Sequence, residues 1–317
     1  MSFPSTDARR NQECRYRWES VGAAARDTCC VEINHAGRYD RQMIHWNLCA
    51  KVERAEMHLK NLQAEWNKYR ADAFLIQSKD DLHAAERIWY IAHTYPIPLE
   101  MSLITGDAVH CLRCCLDHVI YHLVKVCTAG QGPFKQLYFP TGEDPADFAG
   151  RLQAASEYKP KGRVVVQRIR PDAIKAIQAF EPFAGGSGAL LRHVHQLDII
   201  NKHHLLLTVA SSNPTHSMPP TVIERYKHGF GIKDEYTPAQ EALIFQTESL
   251  ARFPLKAGDE LARVPIADAN ENMTFTFALA FGEPKAVAGK PIIQTLYQAS
   301  LLIRDMIRKF DGLGLFA

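Results

Sequence analysis

No stretch of about 18 consecutive apolar residues occurs in this chain of 317 residues, so the sequence predicts no membrane-spanning helix. The first residues, MSFPSTDARRNQE, are polar and lack the apolar segment of a secretory signal peptide. We therefore expect a cytoplasmic protein that has no membrane partner. The sequence also contains no internal repeat and no low-complexity tract.

A strong net charge is also missing. The chain has 37 basic and 35 acidic side chains, which gives a formal net charge of +2. A protein held on nucleic acid by bulk charge would be far more basic, so any contact with nucleic acid must be local. Hydrophobic residues make up 46% of the sequence, which is enough for a sizeable core.

Cysteines are confined to the first 127 residues, where all eight of them lie. A reducing cytoplasm favours free thiols over disulfides. Cys111 and Cys114 have the spacing of half a zinc site, but they lie within a predicted helix and no second pair of this kind follows. The sequence therefore predicts no metal and no other cofactor.

Apolar periodicity predicts an α+β fold with a helical core, an inserted β-hairpin and a β-rich C-terminal half closed by a helix. A long helix is expected from about Gln42 to Arg70 and a central helix from Leu99 to Val126, with the hairpin strands at 73–77 and 87–93 between them. Further helices are expected at 145–155, 172–180, 189–200 and 290–310, and further strands at 205–210, 243–247, 260–266 and 273–281. The predicted organisation is an N-terminal arm (1–40), a helical domain (41–205) and a β-rich region (206–317).

The polar face of the central helix is the most informative feature. At about 100° per residue, the polar residues fall within roughly 80° of His110 and the apolar ones lie opposite. The polar set is Asp107, His110, Arg113, Asp117, His118, Tyr121 and Lys125, and the apolar set is Leu112, Leu116, Val119 and Leu123. An Arg and a His on one helix can bind a phosphate and move a proton beside it. Two other interpretations stay open: an ordinary solvated helix face, or a structural network in which Asp117 orients His118 or pairs with Arg113.

A second polar cluster, Asn201-Lys-His-His204, follows the helix predicted at 189–200. As a helix end, it would place Asn in the left-handed cap and Lys and His beside the negative helix terminus. As part of a site, Lys202 and His203 would face a phosphate or carboxylate near His118. A divalent metal on His118 and His122, completed by His193, His195 or Asp117, is a further alternative, but the Glu of a hydrolytic metal site is missing.

These two segments resemble known motifs. Arg113-x4-His118 matches the Arg-x(4–6)-His motif of the HEPN superfamily, a group of helical proteins that includes metal-independent ribonucleases. The helix segment Leu112-Arg-Cys-Cys-Leu-Asp-His118, followed by Asn201-Lys-His203, is similar to uncharacterised bacterial proteins with an L-R-x-A-L-D-H helix and a later (D/N)-K-H-R box. The resemblance covers about residues 42–207. This chain has Cys114 where many active members have a polar residue, and His204 where the later box has Arg.

The resemblance implies a metal-independent endoribonuclease whose composite site forms between the two copies of a homodimer, acting as a toxin or phage-defence effector. It implies that His118 is the general acid or base, that Arg113 stabilises the phosphate charge and that Asp117 orients one of them. His110, Tyr121, Lys202 and His203 would contact the RNA or nucleotide. An antitoxin or other protein partner would restrain such an enzyme. The alternative function is a non-catalytic HEPN-like module that binds a nucleotide, RNA or a protein.

Overall fold

Two long helices that pack along each other form the centre of the structure. The computed structural model describes residues 41–159, 164–206, 208–212, 216–217, 246–247, 254–269, 275 and 277–317, so the predicted N-terminal arm lies outside the described residues. Six helices occur in these ranges: α1 (Arg41–Arg70), α2 (Leu99–Cys127), α3 (Pro145–Ser156), α4 (Pro171–Gln178), α5 (Ala189–His203) and α6 (Ile292–Gly312). Helix α2 packs on α1, α5 and α6, so it lies at the centre of the helical layer.

The strands form small antiparallel sheets. They are β1 (Phe74–Asp81), β2 (Glu86–Thr94), β3 (Glu157–Tyr158), β4 (Val166–Gln167), β5 (Thr208–Ser212), β6 (His216–Ser217), β7 (Gln246–Thr247), β8 (Glu260–Pro265) and β9 (Phe277–Phe281). The hairpin β1–β2 is extended by β8 into a three-stranded sheet, while β3–β4, β5–β9 and β6–β7 are separate pairs. The predicted α+β class and the inserted hairpin are confirmed.

Periodic burial explains why α1 forms where the sequence predicts it. Its seven predicted apolar positions step by three and four residues and are all buried: Ile44, Leu48, Val52, Ala55, Leu59, Leu62 and Trp66. The apolar face predicted for α2 is buried in the same way, from Val109 to Leu123. Each such side chain removed from water contributes roughly 1.5–3 kcal/mol, so the two stripes are the main reason that these helices pair.

Two predicted boundaries are wrong for physical reasons. The polar segment Ser78–Asp81 belongs to strand β1 rather than to the turn, because its side chains face solvent and Asp80 pairs across the hairpin with Arg87 at 2.7 Å. The helix predicted to end at Ile200 continues to His203, so the C-cap interpretation of Asn201 is wrong and His204 occupies that position.

The C-terminal region shares its core with the preceding helices. Strand β8 pairs with β2, and α6 packs against α1, α2 and α5. The buried side chains on both sides of residue 205 form one hydrophobic cluster, and the described residues from 41 onward form one compact unit. The domain boundaries stay predictions. None of the helices in the described ranges is both long enough and apolar enough to cross a bilayer.

Helices α2 and α5 approach most closely at Gly106. A Cβ atom at this position would lie 2.2 Å from Oδ1 and 2.8 Å from Cγ of Asn201. We expect Gly106→Ala to lower the free energy of unfolding by about 1–2 kcal/mol, because overpacking outweighs the gain in helix propensity. Gly150→Ala in α3 is the matched control, since nothing lies within 4 Å of its Cβ. Urea denaturation should show that this control is stabilised, by about 0.5 kcal/mol; an equal gain at Gly106 would contradict the close approach.

Candidate functional site

The polar face of α2 is only partly exposed to solvent. Its predicted members Asp107, His110, His118 and Tyr121 are exposed. Arg113, in contrast, is 2% exposed, so the alternative of an ordinary solvated helix face does not hold at this position. The reason is the connector between α2 and α3, which returns over the helix and buries Phe139 on top of it.

Arg113 and Asp117 together clamp the backbone of Phe139. Nη2 of Arg113 lies 2.6 Å from Oδ1 of Asp117 and donates to the Phe139 carbonyl at 3.2 Å. The Phe139 N–H in turn donates to the same carboxylate oxygen at 2.8 Å. The pairing of Asp117 with Arg113, one of the structural alternatives, is therefore confirmed. We call this arrangement the Phe139 clamp.

Burial dominates the electrostatics of the clamp. It lowers the pKa of the Arg113 guanidinium, against the opposing effects of Asp117 and Asp198. It raises the pKa of the Asp117 carboxyl, which Arg113 and the Phe139 N–H partly offset. Nη1 of Arg113 is buried and makes no hydrogen bond to any of the residues that the structure describes. When two charges are buried together in this way, removal of either partner leaves the other as an uncompensated buried charge, which destabilises the fold.

The second predicted cluster meets α2 through a residue that the sequence did not single out. Asp198 of α5 is 1% exposed, with Oδ1 lying 3.2 Å from Nδ1 of His110 and Oδ2 lying 2.5 Å from Nζ of Lys202. His110 and Lys202 are each 55% exposed, so their outer atoms face solvent. Sγ of Cys114 lies 3.3 Å from Nε2 of His110. The spacing of Asp198 and Lys202, four residues apart on one helix, is the signal that could have found this carboxylate.

His118 and His203 are the least constrained members of the predicted site. Both are exposed, and within the described ranges neither makes a hydrogen bond or ion pair. Burial and the nearby charge of Lys51 lower the pKa of His118, and Asp117 opposes them. Tyr121 is exposed and packs against Phe134, with ring centroids 5.1 Å apart. The structure thus connects His110 to Lys202 through Asp198 and pairs Arg113 with Asp117. His118 and His203 take part in neither of these two arrangements.

Metal-ligating side chains are not grouped in the described part of the chain. No set of three or more His, Cys, Asp or Glu residues there could hold a metal ion. The alternative site on His118 and His122 therefore has no third ligand among these residues, and His122 itself is buried. The five described cysteines, Cys49, Cys111, Cys114, Cys115 and Cys127, are free thiols, as the sequence predicts.

Comparison of the chain with protein-family models, with curated proteins and with solved structures finds no match, so the functional assignment depends on the site itself.

Proposed function

We propose that this protein is a HEPN-like, metal-independent endoribonuclease whose site is completed by a second copy of the chain. One observation carries the proposal: the two motif segments adjoin in space. His110 and Asp198 are 88 residues apart in sequence, yet they pair, and Asp198 also holds Lys202. His110 lies on α2 and Lys202 on α5, and each side chain is about half exposed. Helix α2 also carries His118, whose side chain is exposed.

His118 is the acid–base group of the proposed reaction. A lowered pKa keeps its imidazole neutral at pH 7, and neutral imidazole can take the proton of a ribose 2′-hydroxyl. The 2′-oxygen then bonds to the adjacent phosphorus, and the bond from phosphorus to the 5′-oxygen breaks. The leaving oxygen takes a proton from His118 of the other copy, which acts in its protonated form while the first His118 acts as neutral imidazole. The products are a 2′,3′-cyclic phosphate and a 5′-hydroxyl end.

Positive charge for the phosphate comes from Lys202, whose side chain is 55% exposed. Arg113, the group that the motif assigns to this task, is committed to the Phe139 clamp in this structure. We therefore assign Arg113 a positioning role: it holds Asp117 and the connector in place beside His118. In a cell the enzyme would act in the cytoplasm as a toxin or phage-defence effector, restrained by an antitoxin or another protein partner.

The test is RNA cleavage with divalent metals chelated, on single-stranded and structured RNA. We expect His118→Ala to slow cleavage by about 10²- to 10⁴-fold, the range for loss of a general acid or base. The thermal midpoint should not change, because the His118 side chain is exposed. His83→Ala, an exposed histidine in the hairpin turn, is the matched control and should cleave normally. Equal cleavage by wild type and His118→Ala contradicts the proposal.

A non-catalytic HEPN-like binding module is the second candidate, and the burial of Arg113 favours it. A guanidinium that is 2% exposed and bonded to its own chain cannot contact a phosphate without breaking the clamp. Under this alternative, RNA binds intact: Lys202→Ala weakens binding, His118→Ala does not slow any reaction, and no cyclic phosphate forms. Product analysis on the same samples separates the two functions.

A further inference from the structure

A cavity of about 310 Å³ lies between the connector, α3 and α5, apart from the site proposed above. Its polar lining includes Glu143, Arg151, Arg192 and His195, and its apolar lining is Ile199, Ile200 and Pro284. This volume is at the lower end of the range for small-molecule sites. Two guanidinium groups beside an apolar wall are an arrangement typical of a site for a small anion with an apolar body.

Arg192 is the key group because it is buried without a matched partner. Its side chain is 9% exposed, and its Nε atom is buried with no hydrogen-bond partner among the described residues. Nη1 donates to Oε1 of Gln196 at 3.2 Å, and Nη2 pairs with Glu143. The carboxylate that pairs with this cation directly belongs to a side chain that is 64% exposed, and the more distant Asp147 carboxylate also interacts with its charge. A buried guanidinium normally needs closer compensation than an exposed carboxylate gives.

Arg151 brings a second guanidinium to the same cavity. Its Nε donates to Oδ1 of Asp147 at 3.0 Å, and among the described residues its two Nη atoms make no hydrogen bond. The Asp144 side chain caps α3 by accepting from the N–H groups of Ala146 and Asp147, so the first turn of this helix is fixed. Arg151 is 50% exposed, which leaves its Nη donors able to turn toward a ligand.

His195 adds another unsatisfied group to the wall. Its Nδ1 atom is buried and, in the part of the chain that the structure describes, has no hydrogen-bond partner. Burial and the charges of Arg113 and Arg151 lower its pKa to about 4, so the ring is neutral at pH 7 and can donate one N–H without adding charge. Ile199 lies four residues further along α5 than His195, on the same face of the helix, and is exposed.

We infer that this cavity binds a small phosphomonoester, with the phosphate between Arg192 and Arg151 and the apolar body against Ile199, Ile200 and Pro284. Glu143 occupies the place of the phosphate in the free protein and swings out to solvent when the ligand enters. Two guanidinium groups suit the two negative charges of a monoester better than the single charge of a phosphodiester or a carboxylate. The inference does not depend on the proposed ribonuclease activity.

The experiment is calorimetric titration of the full chain, without RNA, using phenyl phosphate as the probe. Phenyl phosphate should bind, inorganic phosphate and benzoate should bind more weakly, and phenol should not bind. Glu143→Gln removes the competing carboxylate, so we expect it to tighten binding by about tenfold, the reverse of what loss of a ligand contact would do. Arg151→Gln should weaken binding by about tenfold, as loss of one charge-assisted hydrogen bond does.

Arg170→Gln is the matched control, because Arg170 is also an exposed arginine paired with an aspartate but lies outside the cavity. It should bind like wild type. Glu143 and Arg151 are exposed, so circular dichroism should show that these variants keep the native fold. The inference is overturned if neither wild type nor Glu143→Gln binds phenyl phosphate, if Glu143→Gln weakens binding, or if Arg151→Gln binds like Arg170→Gln. RNA cleavage is measured separately, so either proposal can fail alone.

Discussion

Acidification from about pH 7.5 to about pH 5 is expected to lower the free energy of unfolding by several kcal/mol. His122, His193 and His195 are responsible, since burial, aided by neighbouring positive charges, lowers the pKa of each to about 4. Nδ1 of each ring is buried, with no hydrogen-bond partner within the described ranges. In the unfolded chain the same imidazoles have a pKa near 6.5 and take up protons first.

The sign follows from proton uptake. Below about pH 6.5 the unfolded state binds more protons than the folded state, so stability is fully present above this pH and is lost as the pH falls toward 4. Each histidine contributes about 1–2 kcal/mol between pH 7.5 and pH 5, after allowance for partial exposure of two of them. Carboxylates whose pKa is lowered, such as those of Glu56 and Asp80, lose their stabilising effect mainly below this window, whereas the raised pKa of the Asp117 carboxyl acts in the opposite direction and offsets part of the histidine effect.

Urea denaturation at several pH values measures this loss directly. His122→Gln and His195→Gln should each flatten the pH dependence, whereas His83→Gln, at an exposed position in the hairpin turn, should leave it as in wild type. If the free energy of unfolding stays constant between pH 7.5 and 5, the three imidazoles are not neutral and buried in the folded protein.

The second large effect is expected at the Phe139 clamp. Arg113→Met should lower the free energy of unfolding by about 3–5 kcal/mol, because it leaves the mostly buried Asp117 carboxylate without a counter-charge and the Phe139 carbonyl without a donor. Denaturant titration near pH 7.5 gives this value. The loss should shrink at low pH, where Asp117, whose pKa is already raised, is protonated.

Arg170→Met provides the comparison, because Arg170 and Asp172 form an exposed pair at the start of α4. Its expected effect is about 0–1 kcal/mol. Similar small losses for both variants would show that the clamp does not stabilise the fold. The same result would also mean that Arg113 can leave the clamp at little cost and contact a phosphate.

The elements with regular apolar periodicity could be predicted from the sequence, because burial of one face is a local property of the chain. Helix α1 and the apolar face of α2 are examples. The polar residues could not be placed in this way. Arg113 is buried only because a connector about 25 residues further along covers it, and Asp198 is informative only because α5 packs against His110. The sequence predicts too early an end for α5 for a related reason. The last turn of this helix is held by the ion pair of Lys202 with Asp198 and by contact of Asn201 with Gly106.

The connector that carries Phe139 is fixed, within five residues, to the helices α2 and α3 and to the loop between α4 and α5. The Phe139 backbone is bound to α2 at both its N–H and its carbonyl, the Gly142 N–H donates to the carbonyl of Pro182 at 3.0 Å, and the Glu143 N–H donates to Asp147 of α3 at 2.8 Å. A segment whose backbone groups are hydrogen-bonded to several parts of the core opens only when those hydrogen bonds break together. This connector therefore belongs to the same cooperative unfolding unit as the helices, and the side chains that it carries are positioned by the whole core.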